Sequence, residues 1–171
     1  MHNTVNAIAI DKTGTRWFGT DGGVSAYDGH TWTSYTPADG LAHQYVYSIA
    51  QDRDDSMWFG TRTGVSRFDG DTWTTYGMYH GLAHECVNAV AISRWGRKWF
   101  GTHSGGASCF DGETWTTYNT ANGLCSNLIF AITVDSDDKL WFATAHGVSE
   151  FTPEEEPVVS RIYLPAVRRW G

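Results

Sequence analysis

Trp17-Phe18-Gly19-Thr20 returns as Trp58-Phe59-Gly60-Thr61 and Trp99-Phe100-Gly101-Thr102, and once more, altered, as Trp141-Phe142-Ala143-Thr144. The spacings are 41, 41 and 42 residues. Two further motifs keep step. YDGHTWTSY at 27–35 recurs as FDGDTWTTY at 68–76 and FDGETWTTY at 110–118. DGLAH at 39–43 recurs as HGLAH at 80–84 and NGLCS at 122–126. A period in this range marks one supersecondary unit copied along the chain, each copy burying its apolar face against the next.

Within one copy the local period is two. Val5–Asp11 alternates Ala7 and Ala9 on one face with Ile8 and Ile10 on the other. The same small-against-large contrast recurs in Ser48/Ala50 against Ile49, Ala89/Ala91 against Val90/Ile92, and Ala131/Thr133 against Ile132/Val134. A strand of this kind fits between two sheets that approach closely. Asp11-Lys12-Thr13-Gly14 is a turn. Arg16–Thr20, Gly23–Tyr27 and Thr31–Thr36 follow as three more strands, the last two joined at Asp28-Gly29. Four antiparallel strands per repeat of about 41 residues predict an all-β fold, a β-propeller of four blades. The blades are expected at 4–44, 45–85, 86–127 and 128–152. An acidic, Pro-containing linker and an apolar-basic tail fill 153–171. The fourth copy lacks the T-W-T-x-Y strand, and Ser160–Leu164 is the expected substitute, since an uncovered strand edge is a liability. The four blades close on themselves, form half of a larger ring, two chains giving eight blades, or are a stretch of a longer array.

Composition narrows the function classes. The 171 residues include 9 Trp, 8 Tyr, 8 Phe and 19 Gly but only 4 Pro, which suits short strands joined by tight turns. The net charge of −7 argues against nucleic acid as a partner, because phosphate binding needs clustered Lys and Arg. No apolar run is long enough to span a bilayer. No secretory signal precedes Val5, which suggests a cytoplasmic or truncated chain. Cys86, Cys109 and Cys125 lack metal-site spacing and read as free thiols, a Cys86–Cys125 bridge being the alternative.

The full pattern, V-x-x-I-A-x-D…G-x-x-W-F-G-T…G-V-S-x-F-D-G-x-T-W-T-x-Y…G-L, resembles the two-component regulator propeller repeat from Thr4 to Phe151. The resemblance implies propeller blades of the kind found in extracytoplasmic sensor regions of membrane histidine kinases. It implies a scaffold without a shared catalytic set. The nearest enzyme class by resemblance is the streptogramin lyase propeller, whose repeats also carry G-x-x-W-F. Here Gly-Thr or Ala-Thr follows, where Thr-Glu is common in that class.

If the first strand of each blade runs from top to bottom, the second-to-third loops and the inter-blade linkers share the top face. Function is expected there. His2, His43 and His84 hold one position in three successive linkers, Ser126 the fourth. A ring of imidazoles is a candidate metal site, and the plain alternative is a loop residue copied by duplication. Tyr45, Tyr47, Asn6, Asn88 and Phe130 start inner strands, where aromatic and amide groups suit a sugar or peptide. Core packing is the alternative for Phe130 and Tyr47. Asp21, Arg62 and His103 vary at one top-loop position, and His146 lies in the corresponding loop of the fourth copy. Asp52–Asp55 and Asp135–Asp138 read as hairpin turns rather than calcium loops. Ser25, Ser66 and Ser149 belong to the repeated frame, and no nucleophile constellation emerges. The expected function is a non-enzymatic binding scaffold, without a cofactor, for a small ligand or protein on the top face. The alternative is a metal-dependent lyase or hydrolase.

Overall fold

The computed structural model describes residues 3–152 and, as backbone, the strand at 158–162. Sixteen strands form four antiparallel four-stranded sheets. Blade 1 holds β1 (Val5–Ile10), β2 (Arg16–Thr20), β3 (Gly23–Tyr27) and β4 (Trp32–Tyr35). Blade 2 holds β5 (Val46–Gln51), β6 (Met57–Thr61), β7 (Gly64–Phe68) and β8 (Trp73–Tyr76). Blade 3 holds β9 (Val87–Ile92), β10 (Lys98–Thr102), β11 (Ala107–Phe110) and β12 (Trp115–Tyr118). Blade 4 holds β13 (Ile129–Val134), β14 (Leu140–Thr144), β15 (Gly147–Thr152) and β16 (Val158–Ile162). Strand β16 pairs antiparallel with β15, Val148 opposite Ile162, and so lies two residues ahead of the expected Ser160–Leu164. The linker at 153–157 and the tail beyond Ile162 lie outside the described residues.

The hairpins follow from their turn residues. Asp11 accepts the N–H groups of Thr13 and Thr15 at 2.9 Å through one carboxylate oxygen, closing the β1–β2 turn. Asp52–Asp55 and Asp135–Asp138 form the same turns in blades 2 and 4, as expected: Asp52 N–H donates to Ser56 O at 2.8 Å and Asp135 N–H to Lys139 O at 2.9 Å. One-turn 3-10 helices at Pro37–Asp39, Met78–His80 and Thr120–Asn122 lead into the linkers. Each ends on a glycine. Gly81 has φ +112, and a Cβ there would meet the Trp115 Cβ at 2.5 Å, so both backbone and space demand glycine.

Each joint between blades repeats one arrangement. A tryptophan and a tyrosine of one blade meet two phenylalanines of the next. Trp17 packs on Phe59 and Phe68 (ring centroids 5.8 and 5.9 Å) and Tyr35 on Phe68 (5.2 Å). Trp58 packs on Phe100 and Phe110 (5.7 and 6.2 Å), and Trp99 on Phe142 and Phe151 (5.9 and 5.0 Å). The linker leucines Leu41, Leu82 and Leu124 plug the same three cores. The third residue of each W-F-G-T sits where the next blade's inner strand comes closest. A Cβ on Gly101 would lie 2.5 Å from Ile129 Cγ2, and one on Gly60 2.9 Å from Val87 Cγ1. The contrast of small and large faces on the inner strands is the same device: Ala9 joins the core from one side, Ile49 from the other.

The tryptophans differ in one respect. Trp17 and Trp141 donate Nε1–H to Asp11 (2.8 Å) and Asp135 (3.0 Å). Trp58 and Trp99 are fully buried with Nε1 unpartnered among the described residues. In blade 2 the corresponding Asp52 instead pairs with Lys98 of blade 3 at 2.8 Å, and Lys98 lies over the Trp58 ring at 5.8 Å.

Strand β1 packs on β5, β5 on β9 and β9 on β13. No comparable contact joins β1 to β13 among the described residues, so the four blades form an open fan. Self-closure, one of the expected arrangements, does not occur among the described residues. No disulfide joins Cys86, Cys109 or Cys125 to one another.

Candidate functional site

The copied frame brings the loops of the top face to fixed positions. Arg62 N–H donates to Tyr45 O at 3.1 Å, and His103 N–H to Cys86 O at 2.9 Å. Asp21 and Ala145 make the same bond to Thr4 O (3.3 Å) and Leu128 O (3.0 Å). The backbone of this loop residue is thus held alike in all four blades while its side chain differs.

At the mouth of the joint between blades 2 and 3 the side chains enclose a cleft of about 530 Å³. Its lining is Tyr47, Arg62, Thr63, His84, Glu85, Cys86, Asn88 and His103. Arg62 stands over the Tyr45 ring at 5.6 Å and has no ion pair among the described residues. The His84 and His103 rings face each other with centroids 6.3 Å apart. Asn88 is held by its amide, which donates to Ile129 O at 2.8 Å. The Cys86 thiol contacts Asn88 Oδ1 at 3.7 Å. Burial pushes this thiol above its ordinary range, with Arg62 pulling weakly the other way, so it is a neutral donor rather than a thiolate at neutral pH. Burial also raises the Tyr47 phenol. The cleft therefore offers a cation, imidazoles, a phenol and a thiol.

Of the residues singled out from the sequence, Tyr47, Arg62, His84, Asn88 and His103 line this cleft, and Tyr45 reaches it through Arg62. The others lie apart. His43 lies tilted against Tyr45, ring centroids 5.1 Å apart, in the linker before blade 2. Asp21 accepts from Asn6 Nδ2 at 2.8 Å at the first joint. His146 sits exposed in the β14–β15 turn, one position past the variable one, where blade 2 has Thr63. His2 lies outside the described residues. Phe130 is 56% exposed and is not a core residue; it sits at the register shift that all four inner strands share, where Tyr47 and Asn88 are half-buried. Thr63, Glu85 and Cys86 were not anticipated. Their signal was position alone, since they neighbour the variable loop residue and the linker histidine.

The linker histidines have a backbone task. His43 Nδ1 accepts from Tyr45 N–H at 3.0 Å, and His84 Nδ1 from Cys86 N–H at 3.1 Å. Ser126 Oγ accepts from Leu128 N–H at 3.1 Å in the fourth linker. One acceptor two residues ahead of a donor is what the position requires, and imidazole and hydroxyl both supply it. With Nδ1 engaged, the neutral ring carries its proton on Nε2 and presents a donor outward. Among the described residues no three His, Cys, Asp or Glu side chains converge in a way that could hold a metal ion. The repeated serines are also spent on the frame: Ser66, Ser108 and Ser149 accept the linker N–H groups of Ala42, Ala83 and Cys125 at 2.8–2.9 Å.

Residues 40–63 and 123–146 match the family model described as the two component regulator propeller. Among solved structures, the chain is similar to the extracellular domain of a B. thetaiotaomicron protein described as a hybrid two component system, BT3049. The two are 27% identical with a TM-score of 0.77, over 85% of this chain and 21% of that one. It is also similar to virginiamycin B lyase from Staphylococcus aureus, 18% identical with a TM-score of 0.76, over 96% of this chain and 57% of the lyase. The chain therefore spans about a fifth of the length of the first and somewhat over half of the second. No curated protein matches it. The lyase likeness is one of fold.

Proposed function

We propose that this chain, built of two-component regulator propeller repeats, is a binding module that takes a small ligand or a protein segment in the cleft between blades 2 and 3. One observation carries the reading. The cleft gathers side chains from four separate stretches of chain at the place where an otherwise copied frame differs from blade to blade, at Arg62 and His103 above all. Hydroxyls that could serve a catalyst are bound to the linkers instead.

The competing reading is a metal-dependent lyase or hydrolase of the streptogramin-lyase type. Its support is the fold shared with virginiamycin B lyase and two imidazoles facing each other at the cleft. Against it stands the occupation of His43 and His84 Nδ1 by the backbone. The open fan adds a partner to the proposal: a second copy completing an eight-bladed ring.

The test is a thermal-shift screen of glycan, peptide and small-anion libraries, followed by calorimetric titration of each hit against wild type, Arg62→Ala and His103→Ala. A hit whose affinity falls at least about tenfold in both variants supports the cleft as the site. A hit indifferent to both variants refutes it. Turnover of virginiamycin B on adding divalent metal, lost in His84→Ala, replaces the binding reading by the enzymatic one.

A further inference from the structure

Asp21 and Arg62 hold the same position in neighbouring blades, each fixed by its backbone N–H to a carbonyl, that of Thr4 and that of Tyr45. Their charges meet different surroundings. Asp21 Oδ1 accepts from Asn6 Nδ2 at 2.8 Å, and the same amide donates to Val46 O at 3.1 Å, so this carboxylate is tied into the first joint. Blade 2 has Tyr47 where blade 1 has Asn6. Arg62 is left with neither an ion pair nor a side-chain hydrogen bond among the described residues. The guanidinium is nevertheless placed. It stands over the Tyr45 ring at 5.6 Å. Its charge is felt at the Cys86 thiol and the Tyr47 phenol, where burial is the larger influence.

Around it the cleft presents donors. His84 Nδ1 is taken by Cys86 N–H at 3.1 Å, so its Nε2–H is the one left to a ligand. His103 faces it, ring centroids 6.3 Å apart, with no hydrogen bond to its ring among the described residues. Burial keeps the Tyr47 phenol protonated. Glu85 is the one carboxylate in the lining, and it is exposed to solvent. The space of about 530 Å³ suits a compact organic group.

We propose that the ligand of this cleft carries a carboxylate, held by the fork of Arg62 and by N–H groups of His84 and His103. This rests on the reading above that the cleft binds a ligand. Charge and shape favour carboxylate over phosphate. One guanidinium is opposed by Glu85, in a protein of net charge −7, so a monoanion is balanced where a dianion is not. The planar guanidinium also matches two carboxylate oxygens with two parallel N–H donors.

NMR titration of the isotope-labelled chain tests this with matched pairs. Benzoate is set against benzamide, and an N-acetylated dipeptide with a free C terminus against its C-terminal amide. Inorganic phosphate is the third anion. The expected result is saturable shifts at Arg62, His84 and His103 with the acids, at least about tenfold weaker with the amides and with phosphate. Arg62→Ala should weaken the acids at least about tenfold, and Arg62→Lys, which keeps the charge and loses the fork, several-fold. Glu85→Gln should tighten them about two- to threefold, most at low salt. Both side chains are exposed, so these variants keep the fold. The tighter of the two acids tells whether the carboxylate belongs to a small molecule or to a chain end. Amides or phosphate binding as tightly as the acids, acids indifferent to Arg62→Ala, or no shift at the cleft with any probe overturns the proposal. Amides that bind there as tightly leave the binding reading standing. So do neutral hits of the wider screen that are lost in Arg62→Ala and His103→Ala.

Discussion

Gly101→Ala isolates the energetics of a joint. Gly101 lies in the middle of β10, and its backbone is not left-handed, so alanine meets no conformational penalty there. The whole effect is steric. The new Cβ would stand 2.5 Å from Ile129 Cγ2, 3.1 Å from Ile129 Cβ and 3.2 Å from Ile132 Cδ1. Ile129 is fully buried and β-branched, so its freedom to retreat is restricted and the strain falls on the packing of blades 3 and 4. Overpacking of this kind costs about 1–3 kcal/mol. Replacing a strand glycine by alanine returns about 0.5–1 kcal/mol through the unfolded chain. The net destabilisation lies within about 0–2.5 kcal/mol, with its centre at about 1 kcal/mol. Gly77→Ala is the control, because nothing lies within 4 Å of its Cβ and its φ is −134°, so it should be neutral or slightly stabilising. Urea denaturation followed by tryptophan fluorescence measures both. A Gly101→Ala midpoint at or above wild type would refute the claim that this glycine exists to let the blades approach.

Two further outcomes follow from the turns. His84→Ser should hold stability within about 0.5 kcal/mol of wild type, because Ser126 already does the same task, whereas His84→Ala should lose about 1 kcal/mol in the same urea assay. The carboxylates that open the hairpins between third and fourth strands contribute to acid stability. Backbone N–H groups of Thr72 and Asp71 hold Asp69 at about 2, and those of Thr114 and Glu113 hold Asp111 at about 2, against an ordinary 3.8. Asp28 is lowered for the same reason, by Thr31 and His30. Groups depressed in the fold stabilise it above their unfolded value. Stability should therefore be flat in this respect above about pH 5 and fall between about pH 4 and pH 2. Asp69→Asn should flatten part of that fall, as read from midpoints measured across the range.

The blade was legible in the sequence because a period of 41 residues repeats every constraint at once. Arg16–Thr20 and Gly23–Tyr27 are strands with the bounds their residues suggested. Whether the ring closes was not legible. The angle between neighbouring sheets depends on how far Phe59 or Phe100 enters beneath the preceding tryptophan, which is a distance and not a residue type. The histidine ring illustrates the opposite difficulty. Its repetition was visible, but its reason lies in an acceptor atom, Nδ1, and a donor two residues away, a relation that serine at 126 obscures. Tyr47, Arg62, His84, Asn88 and His103 were each noticed separately. Their convergence at one joint, with Asp21 turned instead to Asn6, depends on side-chain direction, which spacing does not encode.

The joints also bear on how the chain is made. Each is formed between consecutive blades, and the linker that connects them is part of it, with Leu41, Leu82 and Leu124 plugged into the cores. A nascent chain leaving the ribosome therefore never waits for a distant segment: blade 1 acquires its cover when β5 and β6 emerge, and so on in order. Contacts of this short sequence range also close quickly. A propeller that pairs its last strand with its first must hold an unsealed ring until synthesis ends. Here each joint among the described blades shuts as soon as the next blade emerges.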